Sequence, residues 1–239
     1  MTTLLWMTLP YVVLTSFVVG HVWRYRQDQF GWTTRSSQLH ESRLLQLGSP
    51  LFHFGLLAVL SGHVMGIGIP ASWTAAVGVS DHAYHLLSVS FGTLAGAATL
   101  AGLAILLYRR STVAAVRQAT TGNDKIMYLL LTTALVTGTV NTVGANLIGG
   151  GYNYRETVSP WFRSLFTPNP QPELMAAAPV NFQIHVLVVL VLLGIWPYTR
   201  LVHVFSAPLG YLVRPYVVYR SRDPLHPGSR RYARAWEAR

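Results

Sequence analysis

The side chains best suited to chemistry in this 239-residue chain are its histidines. His53 and His63 stand ten residues apart in a stretch, 44 to 80, that holds no Asp, Glu, Lys or Arg. His185 lies in a second such stretch, 174 to 199, and His203 follows just beyond it. A neutral imidazole is a strong transition-metal ligand, and burying four of them among apolar residues is costly unless something binds them. A single buried His is commonly a packing residue, the reading that suits His21 near the end of the first apolar stretch. Two stretches with two His each point instead to iron in haem, an apolar macrocycle that fits between helices and takes His on both faces. Di-metal centres in bundles use carboxylates, and proton relays use buried Asp or Glu; these stretches contain neither. Cys is absent, which excludes thiolate-held clusters, Cys zinc sites and dithiol chemistry within the chain.

The elements that must hold these histidines are membrane helices. The chain is 51% hydrophobic and only 11% charged, under half the roughly 25% of soluble domains. Residues 1–23, 44–80, 82–108, 126–154 and 174–199 are free of Asp, Glu, Lys and Arg, and about 20 apolar residues suffice to cross a ~30 Å hydrocarbon core. The expected fold class is therefore all-α, an integral membrane bundle of five transmembrane helices. An ordinary soluble enzyme, a secreted disulfide scaffold and a disordered chain are excluded.

The net charge of +10 follows the same plan. With the N-terminus outside, the inner segments 24–49, 109–125 and 200–239 hold all 18 basic residues except Arg155 and Arg163. This bias predicts an N-out, C-in topology in the cytoplasmic membrane, so the charge records orientation and not nucleic-acid binding. No basic residue precedes the first span, which reads as a retained helix and not a signal peptide. Residues 1–205 form the expected transmembrane domain. Residues 206–239 form a basic cytoplasmic tail, broken by Pro208, Pro215, Pro224 and Pro227, that is expected to dock onto a partner.

Depth pairs the histidines. The second span, expected to start near Pro50, runs outward and puts His53 near the inner surface and His63 about 15 Å further out. The fifth runs inward, with His185 near the outer surface and His203 about 27 Å below it, five helical turns on along one face. His53 then faces His203, and His63 faces His185, with the two irons roughly 21 Å apart along the membrane normal by averaging the two rises. Pro197 is positioned to shorten or bend the fifth helix between its ligands.

The strings LFHFGLLAVLSGH (51–63) and NFQIHVLVVLVLLGIWPYTRLVHVFSAP (181–208), with WRYRQDQFGWTTRSSQ (23–38) and RQATTGND (117–124), carry a family signature. In these motifs the chain, over about residues 3–222, resembles the gamma subunits, cytochromes b, of respiratory nitrate reductases. The resemblance implies two b haems, the inner one ligated by His53 and His203 and the outer one by His63 and His185. It also implies that a membrane quinol is oxidised near the outer haem. Electrons then pass to an iron–sulfur beta subunit and on to a molybdenum-containing alpha subunit that reduces nitrate. Arg117 and Arg200 suit charge-assisted bonds to propionates of the inner haem. Gly62, beside His63, would let a quinone ring approach closely, and Tyr84 and His85 are candidate acceptors of the quinol proton. The outer loop from Gly149 to Val180 is either a cover for that site or a connector. Related dihaem cytochromes serve sulfite-linked and heterodisulfide-type reductases. A haem-free anchor or transporter with structural histidines is the alternative from another class.

Overall fold

In hydrocarbon a helix satisfies its own backbone N–H and C=O groups, and the charge-free runs here fold accordingly. The computed structural model describes residues 1–33, 37–149 and 151–206; the expected docking tail beyond Ser206 lies outside the described residues. The elements are α1 (Leu4–Gln27), α2 (Arg43–Gly68), the short α3 (Ala71–Ala76), α4 (Asp81–Thr112), the short α5 (Ala114–Gln118), α6 (Gly122–Gly144), α7 (Val158–Ser164), α8 (Pro172–Ala176) and α9 (Val180–Tyr198). A short, tightly wound segment, Arg200–Ser206, completes the described chain. Helices α1, α2, α4, α6 and α9 are each long and apolar enough to cross a membrane. No strand occurs among the described residues. Phe54, Leu57, Leu60, Phe91, Leu94 and Leu129 stand exposed on the spans, the outward apolar surface that lipid requires.

Charges at the span ends act as stops and caps. Ser80 accepts the Ala83 N–H at 3.2 Å to start α4, which carries Asp81 in its first turn and Arg109 and Arg110 in its last, matching the helix dipole at both ends. Thr121 and Asp124 form a capping box that starts α6. Helix α2 begins at Arg43, two turns before the expected start, and holds Pro50 inside it. A membrane helix tolerates such a proline because neighbouring groups re-satisfy the freed carbonyl.

Packing runs in the order α2, α4, α6, α9, α1. Glycines allow the closest of these approaches: a Cβ on Gly102 would collide with the Phe52 backbone, and one on Gly55 with Thr99. One apolar cluster joins Phe52, Leu103, Met127, Leu131, Leu192 and Leu201. Another joins Trp6, Val158, Trp161, Leu165, Met175 and Phe182 at the opposite end. There the Trp161 indole N–H donates to the Trp6 carbonyl at 2.7 Å.

The expectation of one continuous fifth helix fails at Pro197. Regular α-helix ends at Ile195, a single tight turn covers Trp196–Tyr198, and Thr199 is extended at φ −113°, ψ 179°. His203 therefore sits on a separate segment, and the five-turn phase argument does not apply to it. Pro197 has no N–H to continue the ladder, and a helix that ends leaves its last carbonyls without helical partners. Three of them are taken up by side chains from elsewhere. Arg24 donates to Pro197 O at 2.7 Å and Thr199 O at 2.8 Å, and Asn123 donates to Tyr198 O at 2.6 Å.

At the same end the buried Arg109 donates to the Glu41 carboxylate at 2.6 Å and to Ser37 Oγ at 2.9 Å. Burial pushes the Glu41 pKa up, but the Leu44 N–H and the Arg109 guanidinium outweigh it and hold the carboxyl below its ordinary 4.5. A depressed carboxylate contributes stability that is complete above its unfolded value and is lost as pH falls through the folded one. Thermal unfolding followed from pH 7 downward should thus show an acid loss, setting in below about 4.5, that Glu41→Gln flattens. An unchanged acid limb in that variant would show the ion pair to be without weight.

Candidate functional site

Helices α2 and α9 are not among each other's main packing partners, yet their histidines face one another. His63 and His185 have ring centroids 6.2 Å apart at an interplanar angle of 36°. His53 and His203 also lie 6.2 Å apart, at 72°. The structure thus brings together the pairs that depth predicts, even though His203 reaches its place by another backbone route. Ten residues of α2 separate His53 from His63 by about 15 Å along that helix, and the break at Thr199 removes the premise of the continuous ~27 Å rise that entered the ~21 Å average.

The hydrogen bonds set the tautomers. His53 Nδ1 meets Ser49 O at 2.7 Å, His63 Nδ1 meets Val59 O at 2.8 Å and His203 Nδ1 meets Arg200 O at 2.6 Å. A carbonyl only accepts, so each of these nitrogens carries the proton. His185 Nδ1 lies 3.0 Å from Thr137 Oγ. That hydroxyl gives its own proton to Thr133 O at 2.8 Å, so His185 Nδ1 donates as well. In all four rings the Nε2 lone pair is left for a ligand, as metal-bound histidines are normally arranged.

These residues fit a haem held between each pair. A metal about 2.0–2.1 Å from each of two opposed imidazole nitrogens separates their ring centroids by about 6.3 Å, each nitrogen lying about 1.1 Å from its own centroid. Rotation about that axis leaves the interplanar angle free. Among the described residues no three of His, Cys, Asp or Glu gather into a metal site. Gly138 of α6 lies against His185: a Cβ there would come within 3.0 Å of the ring Cε1.

Around the His63 end the segment from 151 to 179 is folded over the bundle. Ser159 donates to Gly66 O at 2.9 Å and Arg163 to Ile67 O at 2.9 Å, while α7 packs on the wide final turns of α2. Gly62 faces open space, with nothing within 4 Å of an added Cβ. Tyr84 is half-buried under the Arg155 guanidinium, 4.0 Å from its ring centroid. His85 lies against Gly151, whose φ of 91° makes it a position for glycine.

At the other end Arg200 clasps the buried Asp124 through Nε at 2.7 Å and Nη2 at 2.5 Å. A protein carboxylate thus already takes this fork, which ties the His203 segment to the start of α6. Arg117 is exposed on α5, with one bond to Ser111 O at 3.2 Å. Sequence reasoning missed Thr137, Gly138, Arg24 and Asn123. Their types, a Thr–Gly step inside a span and polar residues at span ends, are too common to single out without knowing which helices touch.

Fold and site together define a multi-pass, all-helical membrane protein with two opposed histidine pairs between its spans. A family model for the nitrate reductase gamma subunit matches residues 2–222. The chain belongs to the nitrate reductase gamma subunit family. It is 47% identical over 220 residues to the nitrate reductase gamma chain of Bacillus subtilis (strain 168), covering 92% of this chain and 98% of that one. It is 32% identical over 214 residues to the respiratory nitrate reductase 2 gamma chain of Escherichia coli (strain K12), covering 89% and 94%. It is also 57% identical over 223 residues to the nitrate reductase-like protein NarX of Mycobacterium tuberculosis (strain H37Rv), covering 93% of this chain; the chain spans only 34% of that protein's length.

Proposed function

We propose that the protein is a dihaem cytochrome b that oxidises quinol at its His63 end and delivers the electrons at its His203 end to a respiratory nitrate reductase. The observation that carries this reading is the four-histidine arrangement: two opposed pairs 6.2 Å apart, every Nδ1 proton engaged. His53 and His203 ligate one haem; His63 and His185 ligate the other. Bound there, each haem supplies a one-electron iron couple.

The chain's own residues do the rest. Carbonyl and hydroxyl acceptors hold the four rings in one tautomer, and α7 packs on the final turns of α2 just beyond His63. Gly62, Tyr84 and His85 lie at the end where quinol enters and where its protons leave. The basic ends of α1, α4 and α9 face the cytoplasm, with the N-terminus outside, and an iron–sulfur beta subunit docks there; a molybdenum-containing alpha subunit reduces nitrate. Membership of the nitrate reductase gamma subunit family supports this acceptor over a sulfite-linked or heterodisulfide-type one.

A reduced-minus-oxidised optical spectrum of the purified chain should show a b-type band with two haems per chain. Absence of that band would sink the proposal. Iron–sulfur and molybdenum subunits should copurify with the tagged chain; other partners would replace the nitrate-reducing assignment.

A further inference from the structure

Among the described residues, two basic side chains lie at the His63 end, Arg155 and Arg163, and neither is a solvated surface charge. Arg155 is 8% exposed. Its Nη2 donates to Thr74 Oγ at 3.0 Å, and its Nη1 lies 3.9 Å from Asp81, whose side chain is 81% exposed. Its Nε and Nη1 are buried with no hydrogen-bond partner. The remaining contact is the Tyr84 ring, 4.0 Å beneath the guanidinium carbon. A buried cation with three unfilled N–H donors, one on Nε and two on Nη1, is costly, and a weak pair to a solvated carboxylate does little to offset it. Arg163 adds a second positive charge nearby: burial and then the Arg155 charge lower its pKa. Such a site favours an oxygen acceptor that gains negative charge.

We propose that Arg155 binds an oxygen of the quinol headgroup, with Thr74 and Tyr84 holding its guanidinium in place. This rests on the quinol-oxidising reading above. Arginine stays protonated, so it takes no proton from the substrate. It donates N–H to the quinol oxygen and stabilises the charge that forms there as the O–H bond breaks. As each of the two O–H bonds breaks, its electron pair stays on the oxygen; the two protons pass in turn to the Asp81 carboxylate and on to water, and the two electrons would be taken one at a time by a haem held between His63 and His185. Tyr154, which neighbours Tyr84 and lies against Gly66, is held in its neutral form, burial pushing its pKa well up. The other titratable groups nearby are His82, exposed beside Asp81, His85 against Gly151, and Glu156, bonded to Asn153.

The test uses the assembled complex with menadiol as donor and menadione as bound ligand. Arg155→Met should keep both haem bands, raise the KM for menadiol about tenfold and weaken menadione binding, followed by fluorescence quenching, by a similar factor. Arg155→Lys, which keeps the charge, should recover part of both. A wild-type KM and Kd in Arg155→Met overturns the proposal, as does loss of the haem bands in the Met and Lys variants alike, which would mark the residue as structural. If Arg155→Met fails to fold, Thr74→Val carries the test, since it keeps the guanidinium and removes the Nη2 acceptor together with that hydroxyl's own bond to Ala71 O. A raised KM with full haem content then supports the proposal, and an unchanged KM overturns it. If menadiol does not reduce the wild type at all, the quinol-oxidising reading itself fails.

Discussion

His63→Ala and His185→Ala are each expected to lower the haem content from two to one and to stop quinol from reducing the haem that remains. Each variant removes one of two opposed nitrogens, and nothing else beside the pair replaces it: Gly62 opens on space and Gly138 has no side chain. The surviving histidine keeps its Nδ1 bond, to Val59 O or to Thr137 Oγ, but one axial ligand does not hold the ring against the lost opposing face. The effect should exceed the 10–100-fold loss of affinity typical when an outer partner of a metal ligand is removed. Thr137→Val supplies that milder comparison, because it takes away only the acceptor that orients His185. Haem content by extraction and reduction by menadiol check both. Full haem content in His63→Ala or His185→Ala would contradict the ligand pairing. His53→Ala should behave differently, losing the other haem while the outer one still accepts electrons from quinol.

Asp124→Ala should be the most damaging change remote from any haem ligand. Asp124 is 6% exposed, pairs with Arg200 through two bonds and closes the capping box with Thr121. Removing it takes the paired carboxylate from a guanidinium that is 15% exposed. Breaking such a buried pair costs about 3–5 kcal/mol, and the capping box also loses its Asp124 half, the acceptor of the Thr121 N–H. The segment carrying His203 begins at Arg200, whose carbonyl accepts the His203 Nδ1–H, so the loss should fall on the His53–His203 haem first. The expected result is a lower midpoint of thermal unfolding with one haem retained and still reducible by quinol. Thr121→Ala, which costs only the cap, should keep both haems. Equal behaviour of the two variants would show that the ion pair does not hold the His203 segment.

Much of this arrangement could be read from residue order because a membrane leaves few choices. Runs free of charge must be helices, and a helix converts residue number into depth; that suffices to set His53 level with His203 and His63 level with His185. The same rule misplaced the backbone of His203. Pro197 is placed to shorten or bend the fifth helix, and the chain takes the first course, ending its helix at Ile195 and resuming as a separate turn after Thr199, which the five-turn rise leaves out. The outcome depends on whether other side chains will donate to the freed carbonyls, and Arg24 and Asn123 sit far away in sequence.

The amino-acid sequence by itself determined the five spans, the level of each histidine and the absence of carboxylate or thiolate chemistry within the spans, since each follows from local composition and the hydrocarbon thickness. Only the tertiary structure decided which segments meet at the two ends. The stretches 23–31, 121–124 and 197–200 look like unrelated motifs along the chain, yet they converge where Arg24 takes the carbonyls at the break and Asp124 clasps Arg200. At the opposite end Arg155, which breaks the charge pattern as a residue, is buried over Tyr84 as a structure. Hydrogen bonds between distant segments have no period in sequence; they exist only once packing has set which helices are neighbours.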